Sequence, residues 1–463
     1  MPAEATQVLA HFAASLHHED VPVRVRDHCK NLFLDALACA LAGHQGEETG
    51  QVAALAAGLA QSRESSVIGG ERLSLAGATL FNGYLITAVT MCDVHRATHT
   101  HVTPEVVPPA LAIAEREGAT GRELLTALAV GFEVLTRVGI GMDWPAARAK
   151  GWHGPGVIGP FGAAAAAGRL LGLDADAMAR AFGLAGSQAA GTYAAWGTPT
   201  VKFHQCRGAL SGLMAALLAR EGFVATREFL TAKDGGLYNT YAEGGRADAA
   251  IADIGQRWEL EQVGLRLWPS ASAIQGMNTA LFDIIGGQAI DLEEIERVRI
   301  AVSPGTFDLH GKLPYYKGKF EALLSAHYTA AVALCDRELT LRQFEAARYD
   351  DARLRRFAAE RVEVRPDSAL TGAQAVVTIE RRDGATLSAR CDHPRGSPEN
   401  PLSRAQIEQK FRAYASERLP QRQVDQVIEA VLHLEKRDSV AALMQALRSP
   451  RNDEAAAVRT AAE

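Results

Sequence analysis

From Ala5 to about Ala252 the apolar residues recur at intervals of three and four, the period of helices that each bury a face. Leu9, Phe12, Ala13 and Leu16 make the first such stripe, and Pro22 stands where a second helix can open. That helix is predicted over Asp27 to Gly43, with Leu32, Leu34, Leu37 and Leu41 set among alanines and Gly43 as its stop. Further helices fit Ala76–Met91, Pro104–Arg116, Arg122–Val138, Val157–Leu171, Asp176–Ala189 and Arg207–Glu221. Many of their faces carry only Ala and Gly, as in Phe161-Gly162-Ala163-Ala164-Ala165-Ala166-Ala167-Gly168. Small residues let helices approach closely, so the pattern predicts a bundle with several helices buried nearly all round. Thr120-Gly121-Arg122-Glu123 has the form of a capping box.

The period then changes. Arg297–Val302, Arg361–Arg365, Ala375–Glu380 and Ala385–Arg390 alternate as strands do, and the last two flank the turn signal Arg382-Asp383-Gly384. One apolar helix over Phe320–Cys335 is expected to cover a face of that sheet. After Asn400-Pro401 the helical spacing returns, with Ser403 as an N-cap and Phe411, Leu419, Val424, Val427, Ile428 and Val431 on buried faces. The expected fold is mainly α with a second α+β domain: a discontinuous helical domain over 1–262 and 402–463, and a smaller α+β domain over 263–401. The tail after Ser449 is expected to fray.

Composition narrows the function classes. With 48% hydrophobic and 22% charged residues the chain is an ordinary globular one, neither disordered nor fibrous. Its formal charge of −6 and lack of any basic run argue against a nucleic-acid partner. The longest apolar stretch falls short of the roughly 18 residues of a membrane span. The opening Met1-Pro2-Ala3-Glu4-Ala5 has no basic segment leading into an apolar one, so no membrane or secretory role is expected, and the location expected is cytoplasmic. Six scattered cysteines without a CxxC pair fit reduced, buried thiols and offer no disulfide framework.

Gly154-Pro155-Gly156-Val157-Ile158-Gly159 matches the letters of a dinucleotide fingerprint. The stretch before it, Trp144 to Lys150, is no strand, and Pro155 removes an amide donor, so no dinucleotide is expected there. Between Asp93 and His101 one carboxylate and three imidazoles (His95, His99, His101) fall within nine residues. That density suits acid–base chemistry near neutral pH, a metal site or a merely solvated polar loop. His153 follows Gly151-Trp152 just before a helix, and Lys202 and His204 follow the Gly197-Thr198-Pro199-Thr200 loop just before another. Each alone fits an exposed loop; recurrence of His or Lys beside three helix starts favours a carboxylate or phosphate site.

Taken together these segments resemble the 2-methylcitrate dehydratase (MmgE/PrpD) family, which includes cis-aconitate decarboxylases and iminodisuccinate epimerase. The likeness runs through Leu34-Asp35-Ala36-Leu37, Ala42-Gly43, Asn82-Gly83, Gly151-Trp152-His153 to Gly162-Ala163-Ala164-Ala165, Gly396 to Ser403, and Lys410-Phe411. It implies a helical domain with a smaller α+β domain, a homodimer, no metal or organic cofactor, and a small anionic carboxylate substrate. Of the family's acidic run ending in Asp-Asp-Thr-His, Asp93 and His95 persist; His101 matches the next family His, and His153 the active-site His. The family's Lys-x-x-His becomes Lys202 and His204, with the Lys one residue nearer. Arg266 stands for a Lys, and Ala271 and Gln275 stand where a Cys and a His are usual. Arg for Lys keeps a carboxylate clamp and loses a proton donor.

The resemblance thus implies His153, His101, Lys202, Asp93 and His95 as catalytic residues and Arg266, His204, Ser270 and Gln275 as substrate-binding ones. His153 or His101 would be a base oriented by Asp93, and Lys202 and Arg266 would steady the charge that builds on a carboxylate when its α-carbon loses a proton. Elimination of water is the first expected outcome; epimerisation and decarboxylation are the alternatives, and a catalytically degenerate carboxylate binder is another. Tyr193, Tyr315, Tyr316 and Tyr328 are candidate lining residues.

Overall fold

The computed structural model describes residues 5–287, 291–312, 314 and 316–449. Among these, 5–88, 92–263 and 403–449 form one unit, and 89–91 with 264–402 form another.

In the larger unit the Ala- and Gly-rich stretches fold as helices Val23–Gly43, Leu75–Thr87, Thr103–Glu117, Gly121–Ile140, Gly154–Leu170, Ala175–Gly186 and Thr200–Arg220. The small residues set how close they lie. A Cβ at Gly162 would fall 2.7 Å from the carbonyl oxygen of Gly131, and one at Gly212 would fall 2.4 Å from that of Pro160. Backbones at that separation leave no room for any side chain. The capping box forms as predicted: Glu123 N donates to Thr120 Oγ1 at 3.2 Å, and Thr120 N donates to Glu123 Oε2 at 2.8 Å. After Ser403, whose Oγ accepts from Gln406 N, helices Arg404–Ala415 and Gln421–Leu432 bury Phe411, Val424, Val427, Ile428 and Val431. No described helix is long and apolar enough to cross a membrane.

The smaller unit is built on a four-stranded sheet: β1 (Ile295–Val302), β2 (Val362–Pro366), β3 (Ala375–Arg381) and β4 (Thr386–Cys391), in the order β2-β1-β3-β4. β1 runs parallel to β2 and antiparallel to β3, pairing Ile300 with both Val364 and Val377. Alternate residues Val298, Ile300, Val302, Val362, Val364, Val377 and Ile379 are buried, as period two requires of a sheet covered on one face.

Two expectations fail here. The helix expected from Arg207 opens at Thr200, because Pro199 fits the position before a first turn and the polar residues Lys202, His204 and Gln205 around Phe203 conceal the apolar period. The helix expected over 320–335 is two, Lys319–Leu324 and Ala326–Asp336. Ser325 adopts an extended conformation and caps the second by accepting from Tyr328 N at 3.1 Å, while His310 Nδ1 meets the freed carbonyl of Leu324 at 2.9 Å. The tail beyond Ser449, and Tyr315, lie outside the described residues.

Candidate active site

In the larger unit the loop before the Gly154–Leu170 helix is strapped to the segment around Gly191. His153 N donates to the carbonyl of Gly191 (3.0 Å), Tyr193 N to that of Gly151 (2.8 Å) and Ala190 N to that of Gly156 (3.1 Å). The strap presses the His153 ring onto His204, Nδ1 to Nδ1 at 3.0 Å, and onto Tyr193 edge to face at 5.4 Å. Gly191 has φ +127°, and a Cβ there would lie 3.0 Å from His204 Nδ1, so both backbone and space require glycine. The Arg148 guanidinium lies 3.6 Å over the Tyr193 ring, a cation–π contact beside the pair. Burial drives the His153 pKa down to about 3, helped by the positive fields of His204, His101 and Arg148. Burial, then Arg207, also lowers that of His204, so both rings are neutral at pH 7.

His101 donates from Nδ1 to the backbone carbonyl of Asp93 at 2.6 Å. Asp93 therefore orients His101, but through its carbonyl. Its carboxylate, expected to back an imidazole, instead accepts from Val102 N (2.6 Å), Thr103 N (3.0 Å) and Thr103 Oγ1, where the Thr103–Glu117 helix leaves amides unpaired.

His95 is fully buried, with Nδ1 on Thr98 Oγ1 (2.7 Å) and Nε2 on Glu259 Oε1 (3.3 Å), so both of its nitrogens are engaged within the fold. The segment curls into a turn, with mutual backbone bonds between His95 and Thr100 and a left-handed His99, which sends its three imidazoles apart. Among the described residues no three His, Cys, Asp or Glu side chains gather as metal ligands. Nor is this a solvated loop, since Asp93, His95, Thr98 and Thr100 are all buried.

Lys202 lies in the first turn of its helix, not in a loop. Its Nζ donates to the carbonyl of Ala88 at 2.6 Å and sits 4.0 Å from Glu48 Oε2, which accepts from Tyr84 at 2.9 Å. Two residues on, His204 faces His153.

Glu105 was not read from the sequence. It is fully buried, and neither carboxylate oxygen has a hydrogen-bond partner among the described residues; Gly159 and Gly208 pack on its Cγ. Burial, then the Asp93 charge, raises its pKa well above 4.5, so the folded chain keeps a proton that the unfolded one releases. Its stabilising share is whole below pH 4.5 and is lost as pH rises towards the folded pKa. Glu105→Gln, neutral throughout, should overtake wild type in urea-melt stability above pH 4.5, the gap widening by up to about 1.4 kcal/mol per pH unit. A gap independent of pH would show the carboxyl to be ionised in the folded protein. The visible cue is an acid three residues into a helix beside Val106-Val107-Pro108-Pro109; it reads by default as an ordinary dipole partner.

In the smaller unit Arg266, Ser270 and Gln275 do come together. Buried Arg266 donates from Nη1 to the carbonyl of Ser270 at 3.2 Å. Ser270 Oγ accepts from Gln275 Nε2 (2.8 Å) and from Asn278 Nδ2 (2.9 Å), a neighbour the sequence reading missed. The oxygens Gln275 Oε1 and Asn278 Oδ1 are buried and lack donors among the described residues. Tyr328 is committed to the carbonyl of Gln343, and its ring lies 4.8 Å from that of Tyr316 at a tilt of 55°. Of the described tyrosines proposed as lining, Tyr193 is at the histidine pair.

The MmgE/PrpD N-terminal domain profile matches residues 7–249, and the MmgE/PrpD C-terminal domain profile matches 268–434. The chain belongs to the MmgE/PrpD family. Both domains of the family are present, in agreement with the resemblance. Among curated MmgE/PrpD relatives, a cis-aconitate decarboxylase-like protein of Aspergillus oryzae is 28% identical over 95% of this chain and 96% of its own length. The cis-aconitate decarboxylase of Aspergillus terreus is 26% identical over 96% of both chains. That of Homo sapiens is 27% identical over 96% of this chain and 95% of its own.

Proposed function

We propose that this MmgE/PrpD protein is a lyase that moves a proton at a carbon near a carboxylate of a small di- or tricarboxylate. One observation carries the reading: His101 and His153 each have Nδ1 committed, to the Asp93 carbonyl and to His204, which directs chemistry to their Nε2 atoms. A positive charge on His101 reaches His153 and lowers its pKa, which supports their serving one substrate. Lys202 in the larger unit is proposed to take carboxylate charge; in the smaller unit Arg266, held in place by Ser270 and Gln275, is proposed as a carboxylate-binding residue in its own right. Asp93 serves through the orientation of His101, and His204 through His153.

The likeness to cis-aconitate decarboxylases puts decarboxylation of an unsaturated tricarboxylate first. There the bond to the departing carboxylate breaks, its electron pair shifts through the double bond, CO2 leaves, and the far carbon takes a proton from an imidazole N–H. Elimination of water, first in the sequence reading, is favoured by a different observation. Because His101 Nδ1 donates to a carbonyl, the lone pair of its neutral form lies on Nε2, the base that removal of an α-proton requires. A second imidazole then protonates the leaving hydroxyl. The same proposal includes a homodimer and a cytoplasmic location, as the family implies.

The test is incubation with cis-aconitate and a panel of hydroxy di- and tricarboxylates in D2O, followed by proton NMR. Decarboxylation gives CO2 and deuterium on the newly saturated carbon; dehydration gives an alkene and, in reverse, deuterium at the α-carbon. If no acid in the panel exchanges or turns over, the lyase reading fails and a carboxylate-binding role replaces it.

A further inference from the structure

We propose that His204 is a positioning residue that sets the tautomer of His153: its Nδ1–H donates to His153 Nδ1, so His153 keeps its own proton on Nε2 and meets substrate as a hydrogen donor. This rests on the reading of His153 as an acid–base group.

The geometry alone restricts the choice. Two imidazoles joined Nδ1 to Nδ1 at 3.0 Å cannot both be protonated there and cannot both be bare. One is the Nδ1–H tautomer with a bare Nε2; the other is the Nε2–H tautomer. The direction follows from the surroundings. His153 is the residue that immediately precedes the Gly154–Leu170 helix, whose 17 residues direct the positive end of their dipole towards it. The groups whose charge reaches it are Arg148, His101 and His204, all positive when charged, and its other close neighbour is the Tyr193 ring. His204 is half-buried, against 6% exposure for His153, and the charge that reaches it is that of Arg207. A proton entering the pair therefore settles on His204, and an imidazolium can only donate from Nδ1. Of the two arrangements open to the neutral pair, the one in which His153 Nδ1 accepts is the one that needs no rearrangement when that proton arrives.

This divides the labour between the two histidines. His101 donates from Nδ1 to a carbonyl, so in its neutral form it presents a bare Nε2, a base. His153, accepting at Nδ1, presents Nε2–H, an acid. Opposite protonation of the two Nε2 atoms is what proton abstraction followed by protonation of a leaving group needs, and the donor alone is what decarboxylation needs. Gly191, the residue that lets His204 reach His153, belongs to the same device.

The experiment uses full-length protein labelled with 15N-histidine and long-range 1H–15N correlation, without substrate, so it can fail while the lyase reading stands, and the reverse. Wild type is expected to show His153 bare at Nδ1 and protonated at Nε2. His204→Asn places an amide donor where Nδ1 was; the tautomer should persist, with kcat within about tenfold of wild type. His204→Asp places an acceptor there; neutral His153 should move its proton to Nδ1, and kcat should fall on the order of a hundredfold or more with a smaller change in KM, the scale of a misplaced imidazole proton. A wild-type His153 protonated at Nδ1 overturns the proposal, as does an Asp variant whose His153 tautomer is unchanged. Should the Asp variant fail to fold, the wild-type and Asn spectra decide.

Discussion

The His153→Ala variant should lose about two to four orders of magnitude in kcat/KM, the range for a group that transfers a proton in the rate-determining step. Its melting temperature should move little, because the backbone amide of His153, not its ring, makes the strap bond to Gly191. The ring does pack on His204 and Tyr193, yet those two remain anchored through Gly191 and Arg148. Near-wild-type turnover on whichever acid the D2O panel identifies would remove His153 from the mechanism. Lys202→Ala should cost on the order of a hundredfold as well. It is the less clean probe, because the same ammonium holds the Ala88 carbonyl at the end of the Leu75–Thr87 helix and its loss frees that end.

What the sequence disclosed, and what it hid, divides by range. Repeating stripes such as Phe161 to Gly168 and alternation such as Arg297 to Val302 are local, and the helices and strands they announce are present. The Ser325 break and the Thr200 start were hidden because a polar side chain inside an apolar or polar run has no period of its own. The site depends on contacts between distant segments. His95 belongs to Glu259, 164 residues away, and the Asp93 carboxylate, expected to orient His153 or His101, is taken by the Thr103 helix start instead. His153 and His204 are 51 residues apart, and the glycine that joins them, Gly191, lies in a segment with no chemical side chain to attract notice. The resemblance supplied His101, His153 and Lys202; a turn, a strap and a helix start explain how they are held.

A second large effect is expected where two of the family-like segments meet. Asp35, in Leu34-Asp35-Ala36-Leu37, receives a hydrogen bond from Lys410 at 2.6 Å, with the two side chains 1% and 3% exposed. The pair joins the Val23–Gly43 helix to the Arg404–Ala415 helix, 375 residues later in the chain. Lys410→Met keeps most of the buried stem but leaves Asp35 as a carboxylate without its counter-charge, and should destabilise the protein by about 3–5 kcal/mol in urea unfolding. Burial of charge, more than loss of attraction, causes that cost. Adding Asp35→Leu to Lys410→Met should therefore recover most of it, since an apolar pair of similar volume avoids desolvating either ion. A loss below about 1 kcal/mol in the single variant would show that Asp35 is relieved by its other contacts, such as the Cys39 thiol at 3.6 Å. Failure of the double variant to recover would instead make the ion pair a requirement for docking the returning helices.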